Sequence, residues 1–222
     1  MTEHETAVAP SHRVTAGRHA DRAHYDKGVI HDILDAGAIC HLGVVRDGAP
    51  LVVPTSYGRV GDVVYLHGAR ANRSLELAGD AQICVTVTLV DGLVLARSAF
   101  GHSLNYRSVV ILGAGHRVDS IEEKRAALRS FVEHVLPGRS HEIRQPSAAE
   151  LAATTVLRLN IAEASAKVRT GPPIDAAIDR ETDTWAGEVP LRTVSGEPLV
   201  APFLDATRAL PESVVGYLER HR

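Results

Sequence analysis

The sequence predicts a mainly β chain of the α+β class, with six to seven short antiparallel strands closed partly or fully into a barrel and a few peripheral helices. Three observations carry this expectation. Apolar residues cluster in short β-prone runs, Asp-Gly and Gly-Asp pairs punctuate those runs, and the apolar residues are aliphatic. Hydrophobic residues make up 45% of the chain and aromatic ones only 4%, so Val, Leu, Ile and Ala have to build the core, a vocabulary that favours strands. With so many strands burying one face, closure is the economical arrangement.

The 222 residues suit one domain with an appended arm. Residues 1–20 mix Glu, His, Thr and Pro and read as a flexible segment. Asp26 then precedes Val29, Ile30, Ile33 and Leu34 at helical spacing, with Gly37 behind them: an N-cap, an apolar stripe and a C-cap. Ala38–Val45, Pro50–Tyr57 and Val63–His67 are β-prone runs parted by Arg46-Asp47-Gly48 and Val60-Gly61-Asp62, which makes two hairpins of a meander. Asn72–Ala78 reads as a short helix ended by Gly79-Asp80. A strand over Gln82–Leu89, a turn at Asp91-Gly92 and a strand over Leu93–Ser98 follow. Phe100–Arg107 is polar and reads as a loop ahead of the strand Ser108–Gly113. Ser120 with Glu123 forms a capping box for the longest helix, whose Ile121, Leu128, Phe131, Val132 and Val135 keep helical spacing until Pro137-Gly138. Ser147 with Glu150 repeats that signature, and Thr155–Ile161 and Ala166–Arg169 are the last strands. From Gly171 the chain is rich in Pro, Gly and charge with weak periodicity, so 171–222 reads as an arm packing on the barrel formed by 21–170.

Composition also narrows function. A formal net charge of -3 offers no broad attraction to nucleic acid or to an anionic membrane. No apolar run approaches the roughly 20 residues that span a bilayer, and the first residues carry no apolar leader, so a cytoplasmic place is expected. Cys40 and Cys84 lack C-x-x-C partners and read as free buried thiols. The twelve histidines are scattered without metal-site spacing, and no metal centre is expected.

Three stretches could carry chemistry. In His67-Gly68-Ala69-Arg70-Ala71-Asn72-Arg73-Ser74 a strand gives way to a helix through small residues, a geometry that suits either an anion or an ordinary capped turn. Asn105-Tyr106-Arg107-Ser108 stands at the mouth of a buried strand and either lines a ligand's edge or covers the barrel end. Pro54-Thr55-Ser56-Tyr57 places a proline inside a β run, marking an opening for a flat ligand or a frayed strand end. Gly101-His102-Ser103-Leu104-Asn105 lacks the second glycine of a nucleophile elbow and precedes a strand, which argues against a serine hydrolase. Trp185, the only tryptophan, reads as an anchor of the arm.

The segments VVPTSYGR, VVYLHGARANRSL and LARSAFGHSLNYRSVVILGAG resemble, in order and spacing, the flavin-nucleotide-binding branch of the pyridoxamine 5'-phosphate oxidase-like family, which includes nitroimidazole-resistance proteins. The likeness covers most of Arg22 to Leu136, and Trp185-Ala186-Gly187-Glu188-Val189-Pro190-Leu191 is similar to the ending of that branch. It implies a split β-barrel, a homodimer, and one FMN in each cleft between subunits. It further implies that Val53, Pro54, Thr55 and Tyr57 lie along the flavin ring, that His67, Gly68, Ala69, Asn72, Arg73 and Ser74 surround its phosphate, and that Tyr106, Arg107 and Ser108 approach from the following strand. The extra basic residues with which the oxidases hold pyridoxal phosphate are missing near the C-terminus, which argues against that substrate.

The resulting expectation is an FMN-dependent oxidoreductase that passes hydride from NADH or NADPH to a small molecule. The flavin carries the hard chemistry, so no acid or base need stand out, and His67 and His102 are the candidates beside the pocket. A flavin- or haem-binding protein without turnover, with one axial histidine for haem, and an F420-dependent reductase are the alternatives.

Overall fold

The computed structural model describes residues 8–205 and 207–221. Asp26 caps the first helix, α1 (Lys27–Ala36), by accepting a hydrogen bond from the Val29 N–H, and the helix buries Ile30, Ile33 and Leu34 before ending at Gly37. The strands β2 (Cys40–Arg46) and β3 (Ala49–Thr55) form the first hairpin, with Asp47 and Gly48 both at positive φ in its turn. At Ser56 the chain leaves this sheet, so the expected single run Pro50–Tyr57 is divided, and Tyr57 opens β4 (Tyr57–Val60) in a second sheet. There β4 pairs with β5 (Val63–Ala69) across a turn at Gly61, also at positive φ.

After the short helix α2 (Arg73–Ala78) comes β6 (Gln82–Leu95), longer than expected. Asp91-Gly92 is not a turn but an irregularity between Val90 and Gly92 within one continuous strand. The polar Ser103–Arg107 is likewise strand rather than loop: it opens β7 (Ser103–Ala114) because the second half of β6 extends far enough to pair with it. A two-residue strand β8 (His116–Arg117) leads to α3 (Ile121–Val135), capped by Ser120. Glu123 does not close the capping box there, because its carboxylate accepts a hydrogen bond from the Tyr65 hydroxyl at 3.0 Å instead. Helix α4 (Ala148–Ala153) does carry the full box of Ser147 and Glu150, and β9 (Thr154–Asn160) and β10 (Glu163–Arg169) follow.

Two antiparallel sheets result. The larger runs β1 (Ala23–His24), β10, β7, β6, β2, β3, with β11 (Gly187–Pro190) from the arm also pairing with β6; the smaller runs β4, β5, β9, β8. The arm ends in α5 (Glu212–Arg220). Val85, Val87, Val109, Ile111, Leu66, Leu157 and Leu159 fill the space between the sheets together with the apolar face of α1. This is the split β-barrel with peripheral helices.

The ends of the chain hold on more firmly than composition suggests. Val14 is buried, the Ser11 hydroxyl donates to Glu163, Arg13 pairs with Glu163 at 3.2 Å, and the Tyr25 hydroxyl accepts from the Ala16 N–H at 3.0 Å. The described part of the expected flexible segment is thus docked on the larger sheet. The arm is held by β11 and by a Ser213–Glu142 hydrogen bond, while Trp185 is 65% exposed with its ring lying against Gly187 at the start of β11. No described helix is long and apolar enough to cross a membrane.

Candidate functional site

The turn from β5 into α2 is tight because Gly68 has no side chain: a Cβ there would stand 2.9 Å from both Asn72 Nδ2 and Leu75 Cδ1. Asn72 Oδ1 accepts from the Ser74 and Leu75 N–H groups at 3.0 and 3.3 Å, satisfying donors that would otherwise face a ligand. Ala69 is exposed, and Arg73 points outward and pairs with Glu76 at 3.6 Å. His67 lies on the outer face of β5, its ring 4.3 Å from that of Phe131 on α3. Burial holds its pKa below the ordinary 6.5. The imidazole is therefore neutral near pH 7, and among the described residues neither ring nitrogen has a hydrogen-bond partner.

Helix α3 reaches this position because β4 carries Gly58, whose missing Cβ would meet the Phe131 N at 2.7 Å and Ser130 C at 2.9 Å. Phe131 also lines a cleft of about 410 Å³ with Leu128, Val132 and Ile143, at whose rim stand Arg129 and the paired Arg144 and Glu150.

The remaining candidates sort by the period-two alternation of strands. Cross-strand register places Pro54, His41, Thr86, Val110 and Ser165 in one row across the larger sheet, on its outer face. Ser108, between Thr88 and Lys167, and Tyr106 belong to that face too. Val53 belongs to the opposite row, with Leu42, Val85, Ile111 and Ala164, and packs against the core. Thr55 sits opposite the buried Cys40. Tyr57 is a core residue: it is 0% exposed, and its hydroxyl reaches the main-chain carbonyls of Leu34 and, at 2.9 Å, Gly37. Its expected place along a ring is thus taken by the need to close the end of α1. Arg107 is engaged by Asp91 through two hydrogen bonds of 2.9 and 2.8 Å, and this neighbour raises its pKa. The irregularity in β6 is what brings Asp91 within reach.

Sequence reasoning missed the N-terminal wall. Residues 13–18 cross the outer face and enclose a cavity of about 320 Å³ over Ser108, Val110, Ser165 and Lys167, with Lys167 Nζ donating to the Arg18 carbonyl at 3.3 Å. The apolar Val14 was the only signal. The expected phosphate turn is far from this region. Asp80 N–H bonds to the Gly115 carbonyl at 2.6 Å, beside the end of β7, while Tyr106 lies nine residues upstream, roughly 30 Å at ~3.3 Å per residue. His102 is exposed, with Nδ1 2.9 Å from the Ser98 carbonyl. Among the described residues no group of three or more His, Cys, Asp or Glu side chains is arranged to hold a metal ion.

A family model for pyridoxamine 5'-phosphate oxidase matches residues 26–168. The flavocytochrome of Azotobacter vinelandii is 40% identical over 96% of this chain and 98% of its own, with a TM-score of 0.88. A FAD and haem binding protein of Mycobacterium smegmatis is 37% identical over 88% and 96%, with a TM-score of 0.85. A candidate 5-nitroimidazole antibiotic resistance protein of Bacteroides thetaiotaomicron, 24% identical over 66% and 86%, shares the fold at a TM-score of 0.56. No curated protein matches the chain.

Proposed function

The chain belongs to the pyridoxamine 5'-phosphate oxidase family, and from that premise we propose that it is a flavin-binding redox protein that also holds haem and works as a homodimer. The observation that carries this reading is the likeness, at 40% and 37% identity and nearly full length, to a flavocytochrome and to a FAD and haem binding protein. The second of these makes FAD a candidate beside the FMN expected from the barrel.

The residues fit both groups. For a flavin, the outer face of the larger sheet offers a floor of Val110, Thr86 and Thr88 with Ser108, Ser165 and Lys167 as polar groups, and Tyr106 on the same face. Val45, Val52 and Val90 on this face are 63%, 62% and 46% exposed, an apolar surface that a second copy would cover. Because the turn after β5 leads to the far end of β7 while Tyr106 stands near its start, a second copy would bring the complementary half to each cleft. For haem, His67 is neutral, unpartnered and half-buried, as an axial nitrogen must be, and Arg129 at the rim of the neighbouring cleft suits a carboxylate. Once bound, flavin would supply a two-electron centre and haem a one-electron centre. The protein's own part is to bind them, orient them and keep water from them.

Transfer of reducing equivalents from NADH or NADPH to a small molecule is the activity this assembly would support, and the cytoplasm is the compartment that suits its two free thiols. Binding without turnover remains the second reading, favoured by relatives whose names state what they bind. The visible spectrum of the purified protein tests the cofactors: flavin bands that bleach with dithionite and a Soret band are expected, and a colourless protein that ignores added flavin and haem refutes the proposal. Chromatography of heat-released flavin separates FAD from FMN, and steady oxidation of NADH or NADPH separates turnover from binding.

A further inference from the structure

The arm is fixed at its root and bare beyond it. Arg169, at the end of β10, is 5% exposed and donates to Asn105 and, at 2.9 and 3.1 Å, to the carbonyls of Gly171 and Pro172. Asn105 Nδ2 donates in turn to Glu188 of β11 at 2.5 Å, and Asp175 accepts from the Arg97 N–H at 3.1 Å and from its guanidinium at 2.5 Å. A buried cation and its amide relay are costly unless every partner is in place, so this root keeps one geometry. Past β11, the Leu191 N–H donates to the Asp91 carbonyl at 3.0 Å and the Ser195 N–H to the His221 carbonyl at 2.8 Å, which closes the base of the following segment against the end of α5. Residues 196–205 and 207–210 form no helix or strand, and Leu199 and Phe203 are 95% and 101% exposed.

Strand register joins this segment to the outer face of the larger sheet. Leu104 stands two residues before Tyr106 and so on the same face; its partner on β6 is Leu93, whose partner on β11 is Val189. All three are exposed, at 42%, 36% and 40%. The apolar face that carries Val45, Val52 and Val90 therefore extends onto the arm's own strand. Those three valines offer on the order of 200 Å² of apolar surface, whereas a stable interface takes about 800 Å² from each subunit. The row on β7, β6 and β11 and the segment that leaves its end add to them, Phe203 by itself contributing roughly 150–250 Å². The run 199–204, Leu-Val-Ala-Pro-Phe-Leu, carries no charge, and such a run left in water is a liability unless something covers it.

We propose that the arm is a clasp that closes over a second copy of this chain, with the run 199–204 seated on the partner and the row of Leu104, Leu93 and Val189 covered in the same interface. In a two-fold pair the contact is reciprocal, so each subunit both clasps and is clasped. The fixed root presents the run in place, and little ordering entropy opposes association. This inference rests on the homodimer reading and goes beyond it: the sheet face brings the subunits together, and the arm sets how tightly they hold.

Analytical ultracentrifugation of the full chain from nanomolar to micromolar concentration tests the clasp, with the double variant Leu199→Asp, Phe203→Asp and the control Ile121→Asp run beside the wild type. Leu199 and Phe203 face water in the single chain, so replacing them leaves the subunit folded, as far-ultraviolet circular dichroism will show. Ile121 is also exposed, at 63%, but lies at the start of α3. The wild type and Ile121→Asp are expected to be dimers. The double variant is expected to have a dissociation constant at least about a hundredfold higher, because two large apolar anchors are lost. A dimer that ignores the double substitution overturns the clasp and leaves the homodimer standing, whereas a monomeric wild type overturns both. A monomer that sediments with phosphatidylcholine vesicles, and ceases to in the double variant, gives the run to a lipid surface and overturns the proposal as well.

Discussion

Gly58→Ala tests the seat of α3, and with it the position of His67. Gly58 is buried in β4 beneath the helix, and an added Cβ would lie 2.7 Å from the Phe131 nitrogen and 2.9 Å from the Ser130 carbonyl carbon. Ordinary contact begins near 3.4 Å, so the helix backbone has to retreat by roughly 0.7 Å or β4 has to yield. Its φ is not positive, so alanine adopts the strand without strain, and replacing a glycine would on its own stabilise the protein by about 0.4–1 kcal/mol through the unfolded chain. Overpacking of a fitted interface costs about 1–3 kcal/mol. At mid-range the clash outweighs the chain-entropy gain by about 1.3 kcal/mol, and at about 2–4 °C per kcal/mol for a chain of this size the melting temperature should fall by roughly 3–5 °C. Differential scanning calorimetry measures the shift. The Soret band, if haem is held beside Phe131, should move or weaken with it. A melting temperature equal to or above that of the wild type would mean that α3 does not press on Gly58, and the account of the cleft would be wrong.

Tyr57→Phe should lower stability by about 1–3 kcal/mol by taking the hydroxyl donor from the Leu34 carbonyl at the end of α1, read as a lower urea midpoint with unchanged slope. Because burial lowers the pKa of His67, the unfolded chain takes up its proton first; stability held above pH 6.5 is lost as pH falls through that value. Melting temperatures between pH 8 and pH 5 should therefore slope less in His67→Gln than in the wild type, and equal slopes would place the imidazole in water. Asp91→Asn breaks a half-exposed pair with Arg107 and should cost no more than about 1 kcal/mol, shrinking as salt is added. Deleting the chain after Arg169 removes β11 from β6 and the Gly171 and Pro172 carbonyls from the buried Arg169, so light scattering should detect association that the full chain does not show.

Local signals were legible wherever neighbouring residues satisfy one another. Asp26, Asn72, Ser120 and Ser147 cap the helices they precede, Gly48 and Gly61 turn the hairpins, and aliphatic alternation marks most strands. Polar Ser103–Arg107 misled because its partner is the far half of β6, and a strand made by long-range pairing need not look like one. Asp91-Gly92 misled for a related reason: a pair that suits a turn also suits an irregularity inside a strand.

Family membership and the barrel were thus determined by the sequence, because strand patterning and the order of the three flavin-associated segments survive in one dimension. Only the tertiary structure decided which candidates share a surface. A shift of one residue exchanges the two faces of a strand, so register separated Pro54, Tyr106 and Ser108 on the outer face from Val53 in the core. Burial gave Tyr57 to α1, ion pairing gave Arg73 to Glu76 and Arg107 to Asp91, and strand pairing set Leu104, Leu93 and Val189 in one exposed row. Which charges remain free is a property of all their neighbours at once, and those neighbours are set by packing rather than by spacing along the chain.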